Sequence, residues 1–503
     1  MGFLTPQRLL TGAAYFFTAY IVLRIATIIR LLYFHPLRSF PGPRLAVITR
    51  WYRGYFDVIL QGEWLRHLQY LHTVYGEVVR IGPNEVHFSM PQAYAEIYAS
   101  GSPFTKEPVL YKCFGMDEGS FAIVDPHKSK KRREMLLPLF SRRAILKLEN
   151  IVQEKVHTLI TRIVAHGRKP VDMSLAFRCT TFDTISDYCF AQSFNALGAE
   201  GFQHPLLINM QTSIKYFWLL RYFPFILPLA YSMPQWLAER SNPLYKEFNV
   251  VRLQVEAQVD KFLASEAELE NADHETVYHH LIRPKSEKNH ETPSRASLFD
   301  EALVLLQAGS DTVGHTCIIG TFHALRDNHI HMKLSNELQE AWPNKEARIS
   351  LSTLERLPYL TAFIKESLRV SHGVITPLAR VVPKDTTIAG YPVPAGTIVS
   401  TGSTFMHNEP GVFLDPLKFN PERWLAEDTR DLDNHFVPFS RGPRMCIGFN
   451  LAWCELYLIF ANIFRKLDME IFETTEKDFD YKEIFVPIRQ GRHLRALVAE
   501  KAL

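Results

Sequence analysis

The chain has 503 residues, 47% hydrophobic and 12% aromatic, with a formal net charge of +3. That apolar content suffices for a large core, and so small a net charge excludes the global field that would draw nucleic acid. The six cysteines (Cys113, Cys179, Cys189, Cys317, Cys446, Cys454) form no zinc-spaced cluster, and such sparse use predicts reduced thiols facing a cytosol.

Leu9 to Leu23 is uncharged and mostly apolar, and the apolar character runs on past Arg24 and Arg30 to Phe34. Snorkelling arginines near one end let such a run cross a bilayer core of about 30 Å. Arginines at 24, 30, 38, 44 and 50 against Arg8 alone on the other side predict a cytosolic body. The arginines inside the run and the lack of a small-residue cleavage site argue against a signal peptide. Residues 1–34 are therefore expected to form a membrane anchor. Residues 35–48, with Pro36, Pro41 and Pro43, are expected to form a stiff hinge.

Arg80 to Val86 reads as strand, turn, strand. Met90 to Asp125 predicts a short helix and then an aromatic-bearing loop with Tyr111, Phe114 and Phe121. Lys128 to Arg143 is a basic run, ordinarily a solvated helix face. Leu146–Val164 and Thr180–Ala191 have helical periodicity. Tyr216 to Leu229 is unusually apolar, is broken by Pro224 and Pro228, and is too short to span a bilayer. Asn271 to Ala296 reads as a surface loop before the next helix.

Phe299 to Leu325 predicts a long apolar helix interrupted by Ala308-Gly309-Ser310-Asp311-Thr312. A mid-helix glycine costs stability, so it invites a reason. Small residues let a flat group lie against the helix, Asp311 and Thr312 suit proton transfer, and a widened helix turn there would admit water. Glu366 and Arg369 share a helix face at spacing i, i+3. Val374 to Arg380 reads as a strand, Gly390 to Val399 as a hairpin, and Asn420 to Trp424 supplies another arginine, Arg423. Ile484 to Pro487 reads as an apolar turn.

The most informative stretch is Phe439 to Gly448. Cys446 lies in a Gly/Pro-rich turn before the apolar run Leu451–Phe464. A helix N-terminus and backbone N–H groups there are expected to lower the thiol pKa. Phe439, Gly442, Arg444, Cys446 and Gly448 fit the pattern F-x-x-G-x-R-x-C-x-G. This loop resembles the haem-binding loop of the cytochrome P-450 family, and the other motifs follow in that family's order.

The resemblance implies a mainly α fold with a smaller β region, haem between the long helix and the cysteine loop, and one catalytic domain over residues 49–503. It implies haem b with Cys446 as the metal ligand, its carboxylates held by Arg133, Arg380 and Arg444, and Phe439 and Gly448 beside it. Ser129 replaces the family's usual Trp or His one turn before Arg133, which removes a carboxylate donor. Asp311 and Thr312 correspond to the oxygen-activation pair, and Glu366, Arg369 and Arg423 to the structural triad. Phe114, Phe121, Ala308, Val374, Ile375 and Phe485 are expected to line the substrate pocket, with the 216–229 stretch as a membrane-dipping lid.

The implied activity is hydroxylation or epoxidation of an apolar small molecule with O2. Electrons come from NADPH through NADPH-cytochrome P-450 reductase, with cytochrome b5 as a further donor, docked on the basic run. The hinge and the Arg80 segment look most like fungal microsomal enzymes, similar to trichodiene-oxygenase-like and benzoate-hydroxylase-like groups. That points to a terpenoid or other secondary metabolite and to an endoplasmic reticulum anchor, single-pass, with the catalytic domain facing the cytosol. The alternatives are a haem-thiolate isomerase or dehydratase needing no reductase, and a non-catalytic haem-binding protein.

Overall fold

The computed structural model describes residues 6–501 apart from 168, 242 and 284–291, so part of the expected surface loop lies outside the described residues. The N-terminal run forms a helix, Pro6–Ile29, continued by a wider π-type turn at Arg30–Phe34. Its segment Leu10–Phe34 has a mean hydropathy of 1.7, and none of its residues is buried in the rest of the chain. It is long and apolar enough to cross a membrane.

The hinge is not a free spacer. Pro36–Ser39 forms a 3-10 turn, Leu37 is wholly buried, and Phe40 joins an apolar cluster with Val78, Val86 and Phe88. The Pro41 carbonyl accepts from the Arg80 N–H at 2.7 Å, and the buried Arg80 guanidinium donates to the carbonyls of Leu31 (3.2 Å) and Pro83 (2.6 Å). Prolines without N–H groups do not prevent docking, because their carbonyls still accept.

The core is built around the helix Arg295–Arg326. It begins at Ser294, whose hydroxyl accepts from the Ser297 N–H. Met173–Phe190 packs along it, and Pro358–Ser371 and Phe449–Lys466 complete the bundle. Met173–Phe190 is buried on almost every side. It tolerates this because its polar residues are bonded: Thr180 and Thr184 return their hydroxyls to carbonyls one turn back, Thr181 donates to Ser310 O at 2.6 Å across the interface, and buried Asp183 accepts from the Ala196 and Leu197 N–H groups, both at 2.8 Å.

A five-stranded sheet runs in the order Val78–Gly82, Glu85–Phe88, Ile398–Ser400, Arg380–Val381, Thr105–Lys106. In its last pair Lys106 stands directly opposite Arg380. Of the expected strand 374–380 only Arg380–Val381 joins a ladder. The expected hairpin at 390–399 is split: Tyr391–Val393 pairs back with Thr386–Ile388, while Ile398–Ser400 enters the large sheet. The apolar turn at 484–487 is the tip of the hairpin Tyr481–Ile484/Val486–Arg489, with Phe485 in a left-handed conformation at φ 65°.

Candidate active site

The cysteine loop is shaped by backbone geometry. The Cys446 N–H donates to Phe439 O at 2.9 Å, closing the loop, and Gly442 takes φ 70° at a turn against Tyr98 and Ala99. A Cβ at Gly442 would come within 2.3 Å of Tyr98 O, so only glycine fits. Gly448 then caps the helix Phe449–Lys466, and a Cβ there would meet no atom within 4 Å. Cys446 is exposed where it opens into the cavity described below. Burial pushes its thiol up, while the Gly448 N–H and nearby Arg133 pull it back. The loop's backbone N–H thus acts in the expected direction against burial, and a bound cation would stabilise a thiolate further.

Opposite the loop, Arg295–Arg326 is α-helical throughout, without the expected widened turn. Thr312 Oγ1 donates to Ala308 O at 3.0 Å, and Ala308 is open to the cavity. Gly309 lines the cavity, and it has a second reason besides the expected one. A Cβ there would lie 2.5 Å from Ile185 Cγ1, so the glycine lets Met173–Phe190 approach closely. Asp311 pairs with Arg178 at 2.7 Å. Arg489 lies beside them, its guanidinium pushed down to about 9 by burial and by Arg178, with Asp311 opposing the shift.

The cavity has a volume of about 930 Å³ and lies between the two elements. Arg133, Arg380 and Arg444 all line it, and none has a carboxylate partner among the described residues. Arg133 donates to Met445 O at 2.7 Å; Arg444 donates to Ile123 O and Val124 O, both at 3.1 Å. Burial, then Arg380, pushes Arg444 down to about 10. Arg380 donates to the Tyr111 hydroxyl and to Leu378 O, and stacks on Tyr98 at 5.1 Å. The neighbouring basic run divides. Lys128, Lys130, Lys131, Arg142 and Arg143 are exposed, whereas Arg132 is buried and bonds Glu301 at 2.7 Å. Sequence reasoning missed that ion pair, which Ser120 completes from the loop before it.

Glu366, Arg369 and Arg423 meet as expected. Glu366 Oε1 accepts from Arg369 Nη2 (2.8 Å), Arg423 Nε (3.2 Å) and the Asn420 N–H (2.9 Å); Oε2 accepts from Arg369 Nε and Trp424 Nε1, both at 2.9 Å. Arg369 Nη1 passes to His407 O at 2.9 Å, and His407 Nε2 accepts from the Val437 N–H at 2.9 Å, two residues before Phe439. Burial, then His372 and Arg369, keeps His407 well below the usual imidazole range, so it stays a neutral acceptor. The network thus reaches the cysteine loop through groups that sequence did not single out.

Phe114, Phe121, Ala308, Val374 and Phe485 line the cavity, and Phe217 joins them. Ile375 does not: it is fully buried elsewhere, its N–H bonded to Phe485 O. The rings of Phe114, Phe121, Phe217 and Phe485 form a box with centroids 4.5–5.8 Å apart in contacting pairs. The 216–229 stretch forms the short helix Phe217–Tyr222 and the start of Ile226–Ser232. It is latched: Trp218 Nε1 donates to Glu483 O at 2.9 Å, and the Tyr222 hydroxyl donates to buried Asp57 at 2.8 Å.

A haem fits this arrangement. The slot has one thiol on one side, an open small-residue step on the other, and at its edge cations without a carboxylate partner among the described residues, as a flat macrocycle with two carboxylates requires.

Residues 47–495 match the family model of cytochrome P-450. The chain is 34% identical to cytochrome P-450 monooxygenase BOT1 of Botryotinia fuckeliana, covering 95% of this chain and 94% of that one. It is 33% identical to cytochrome P-450 monooxygenase macH of Penicillium terrestre (97% and 97%) and to the tryptophan 6-hydroxylase fscE of Fusarium equiseti (94% and 94%). Cysteine loop, structural triad and family match agree, and the chain belongs to the cytochrome P-450 family of haem-thiolate monooxygenases.

Proposed function

We propose that this chain is a membrane-anchored monooxygenase that hydroxylates or epoxidises an apolar fungal secondary metabolite, a terpenoid first among the candidates. The observation that carries the reading is the aromatic-walled cavity between Cys446 and the Ala308–Thr312 step. An aromatic substrate is the second reading, favoured by the phenylalanine box and by the relative named as a tryptophan 6-hydroxylase. In this reading Cys446 ligates the iron, and Arg133, Arg380 and Arg444 hold the haem carboxylates. Bound haem supplies O2 activation and transfer of one oxygen atom.

The chain supplies orientation, dryness and protons. The phenylalanine box holds the substrate over Ala308 and excludes water. Asp311, clamped by Arg178 at 2.7 Å, takes protons from the polar side of the cavity, where Arg489 and His315 lie, once that pair opens. Thr312 Oγ1, anchored on Ala308 O, presents its hydroxyl at the reacting centre. An Asp311→Asn chain is expected to lose about 100-fold in product formation, within the range of general acid catalysis. NADPH consumption should fall less, so the product formed per NADPH drops; an unchanged ratio would remove Asp311 from proton delivery.

The anchor and the lid mark one membrane face, in the endoplasmic reticulum with the body in the cytosol. Leu45, Trp51, Tyr55, Ile59, Phe225 and Leu229 are exposed, and Trp51 stacks on Tyr222 at 5.3 Å, joining the lid to the N-terminal segment. Exposed Lys128, Lys130, Lys131 and Arg143 form a docking surface for NADPH-cytochrome P-450 reductase and cytochrome b5. Tyr222→Phe unlatches one lid bond, and substrate release is expected to speed up several-fold, at about 1 kcal/mol for one hydrogen bond. Stopped-flow measurement of the substrate-induced Soret shift reads it.

Co-expression with a reductase, followed by metabolite profiling and NADPH accounting, tests the activity. Product formed without reductase or NADPH would instead identify an isomerase or dehydratase.

A further inference from the structure

We propose that Glu483 is a pH-sensitive release for the lid over the cavity. The inference rests on the reading of Phe217–Tyr222 as a lid. That helix is held at two points, and they lie on different elements. The Trp218 indole N–H bonds the backbone oxygen of Glu483 in the hairpin Tyr481–Ile484/Val486–Arg489, and the Tyr222 hydroxyl bonds Asp57 in the N-terminal part of the body. Behind the lid those two elements meet. The Glu483 N–H donates to Gly62 O at 2.9 Å, and a Cβ at Gly62, which takes φ 93°, would lie 2.4 Å from Glu483 O. The lid therefore fastens together two segments that each bring a buried acid to one seam, Asp57 and Glu483, both at 1% exposure.

Three acids, Asp57, Glu85 and Glu483, share this seam with two cations, Arg53 and Arg221. Arg53 is committed: it bonds Asp57 at 3.1 Å and faces Glu85 at 3.5 Å. Arg221, on the lid, lies over the Trp218 ring at 5.6 Å. Lys482 turns away, to Leu60 O and Glu63. Tyr222 and Tyr481 are held above their usual range by burial and stay protonated. Glu483 itself has no ion pair among the described residues. Its Oε1 accepts from the Thr376 hydroxyl at 2.6 Å, and its Oε2 is buried with no partner among them. Asp57 Oδ1 and Arg53 Nη2 are buried and unbonded in the same way.

A carboxyl in such a place is easier to bury neutral than charged. Burial, opposed by Arg53 and reinforced by Asp57, pushes Glu483 up to about 7. Below that value the carboxyl is neutral, and the hairpin rests against the Asp57 segment. As pH rises through it, a second negative charge appears beside Asp57. The two acids repel, and the unbonded Arg53 Nη2 is drawn toward Glu483 and away from Asp57. Either movement strains a lid whose two bonds straddle the seam. The same hairpin carries a wall of the cavity: Thr376 lines it, and the N–H groups of Ile375 and Thr376 bond Phe485 O at the hairpin tip. Ionisation of Glu483 thus loosens the lid and the phenylalanine box together.

Purified full-length holoenzyme, Glu483→Gln and Tyr222→Phe are compared with phenylimidazole, an aromatic azole that ligates haem iron, as the probe. Its dissociation after rapid dilution is read from the return of the Soret band. The parental rate is expected to rise about 5-fold between about pH 6 and about pH 8, the scale of one hydrogen bond, with its midpoint at about 7. Glu483→Gln, which keeps the shape of the neutral form, is expected to hold the low-pH rate throughout. Tyr222→Phe is expected to be about 5-fold faster than the parent at low pH. A fast Tyr222→Phe with the pH rise intact in Glu483→Gln would overturn the Glu483 role alone. A parental low-pH rate in Tyr222→Phe would overturn the lid reading itself, and a flat parental rate would overturn the switch. Infrared difference spectra of the parental protein need no variant: loss of protonated-carboxyl intensity is expected to follow the rate, and a rate rise without that loss would overturn the proposal.

Discussion

A Glu366→Gln chain is expected to accumulate almost no haem-loaded protein. Both carboxylate oxygens of Glu366 face donors only: three on one side and two on the other. An amide turned either way points its NH2 at N–H groups, and the buried guanidinium of Arg369 loses its counter-charge. Breaking a buried ion pair on one side costs about 3–5 kcal/mol, a large share of a total stability of about 5–15 kcal/mol. The damage reaches the site because Arg369 holds His407 O and His407 holds the Val437 N–H just ahead of Phe439. Urea midpoints and the haem-to-protein ratio measure the effect. A Gln variant with the parental midpoint and full haem content would show that the network is dispensable.

Replacing Cys446 by Ser is expected to abolish turnover while leaving the fold intact. The loop is closed by the Cys446 N–H to Phe439 O and by Gly442 against Tyr98, neither of which involves the sulfur. A serine hydroxyl is a far weaker acid than a thiol, and the push toward O–O cleavage goes with the thiolate. The reduced protein with CO should lose the thiolate-haem absorption band, and product should vanish even with reductase and NADPH present. Retention of that band would place the iron on a different residue.

The fold class and the chemistry-bearing loop were legible because they depend on local pattern. The Phe439–Gly448 spacing, the small-residue step and the Glu366/Arg369 pair each reflect a close approach or a fixed helical offset. Contacts closed over long stretches of chain were not legible. Tyr222 meets Asp57 across 165 positions and Trp218 meets Glu483 across 265, and no periodicity announces either. Neighbours in sequence also part company in space: Arg132 turns inward to Glu301 while Lys131 stays in water, and Val374 faces the cavity while Ile375 turns its back on it. Gly309 stands out in the sequence as purposeful, but the sequence does not show its second purpose, the close approach of a neighbouring helix at Ile185.

On the proposed membrane-anchored reading, the docked hinge gives bilayer thickness a part in the chemistry. The 25-residue span Leu10–Phe34 is about 37 Å long at 1.5 Å per residue, against a hydrocarbon core of about 30 Å. A span that exceeds its membrane tilts. Because Arg80 grips the Leu31 carbonyl at the end of that span, and Leu37 and Phe40 are packed in the body, the tilt is not absorbed by a swivel. On that reading the body leans with its anchor, and the depth of exposed Phe225 and Leu229 relative to the lipid changes with it. Thin and thick membranes would then meet the same cavity with its mouth at different heights.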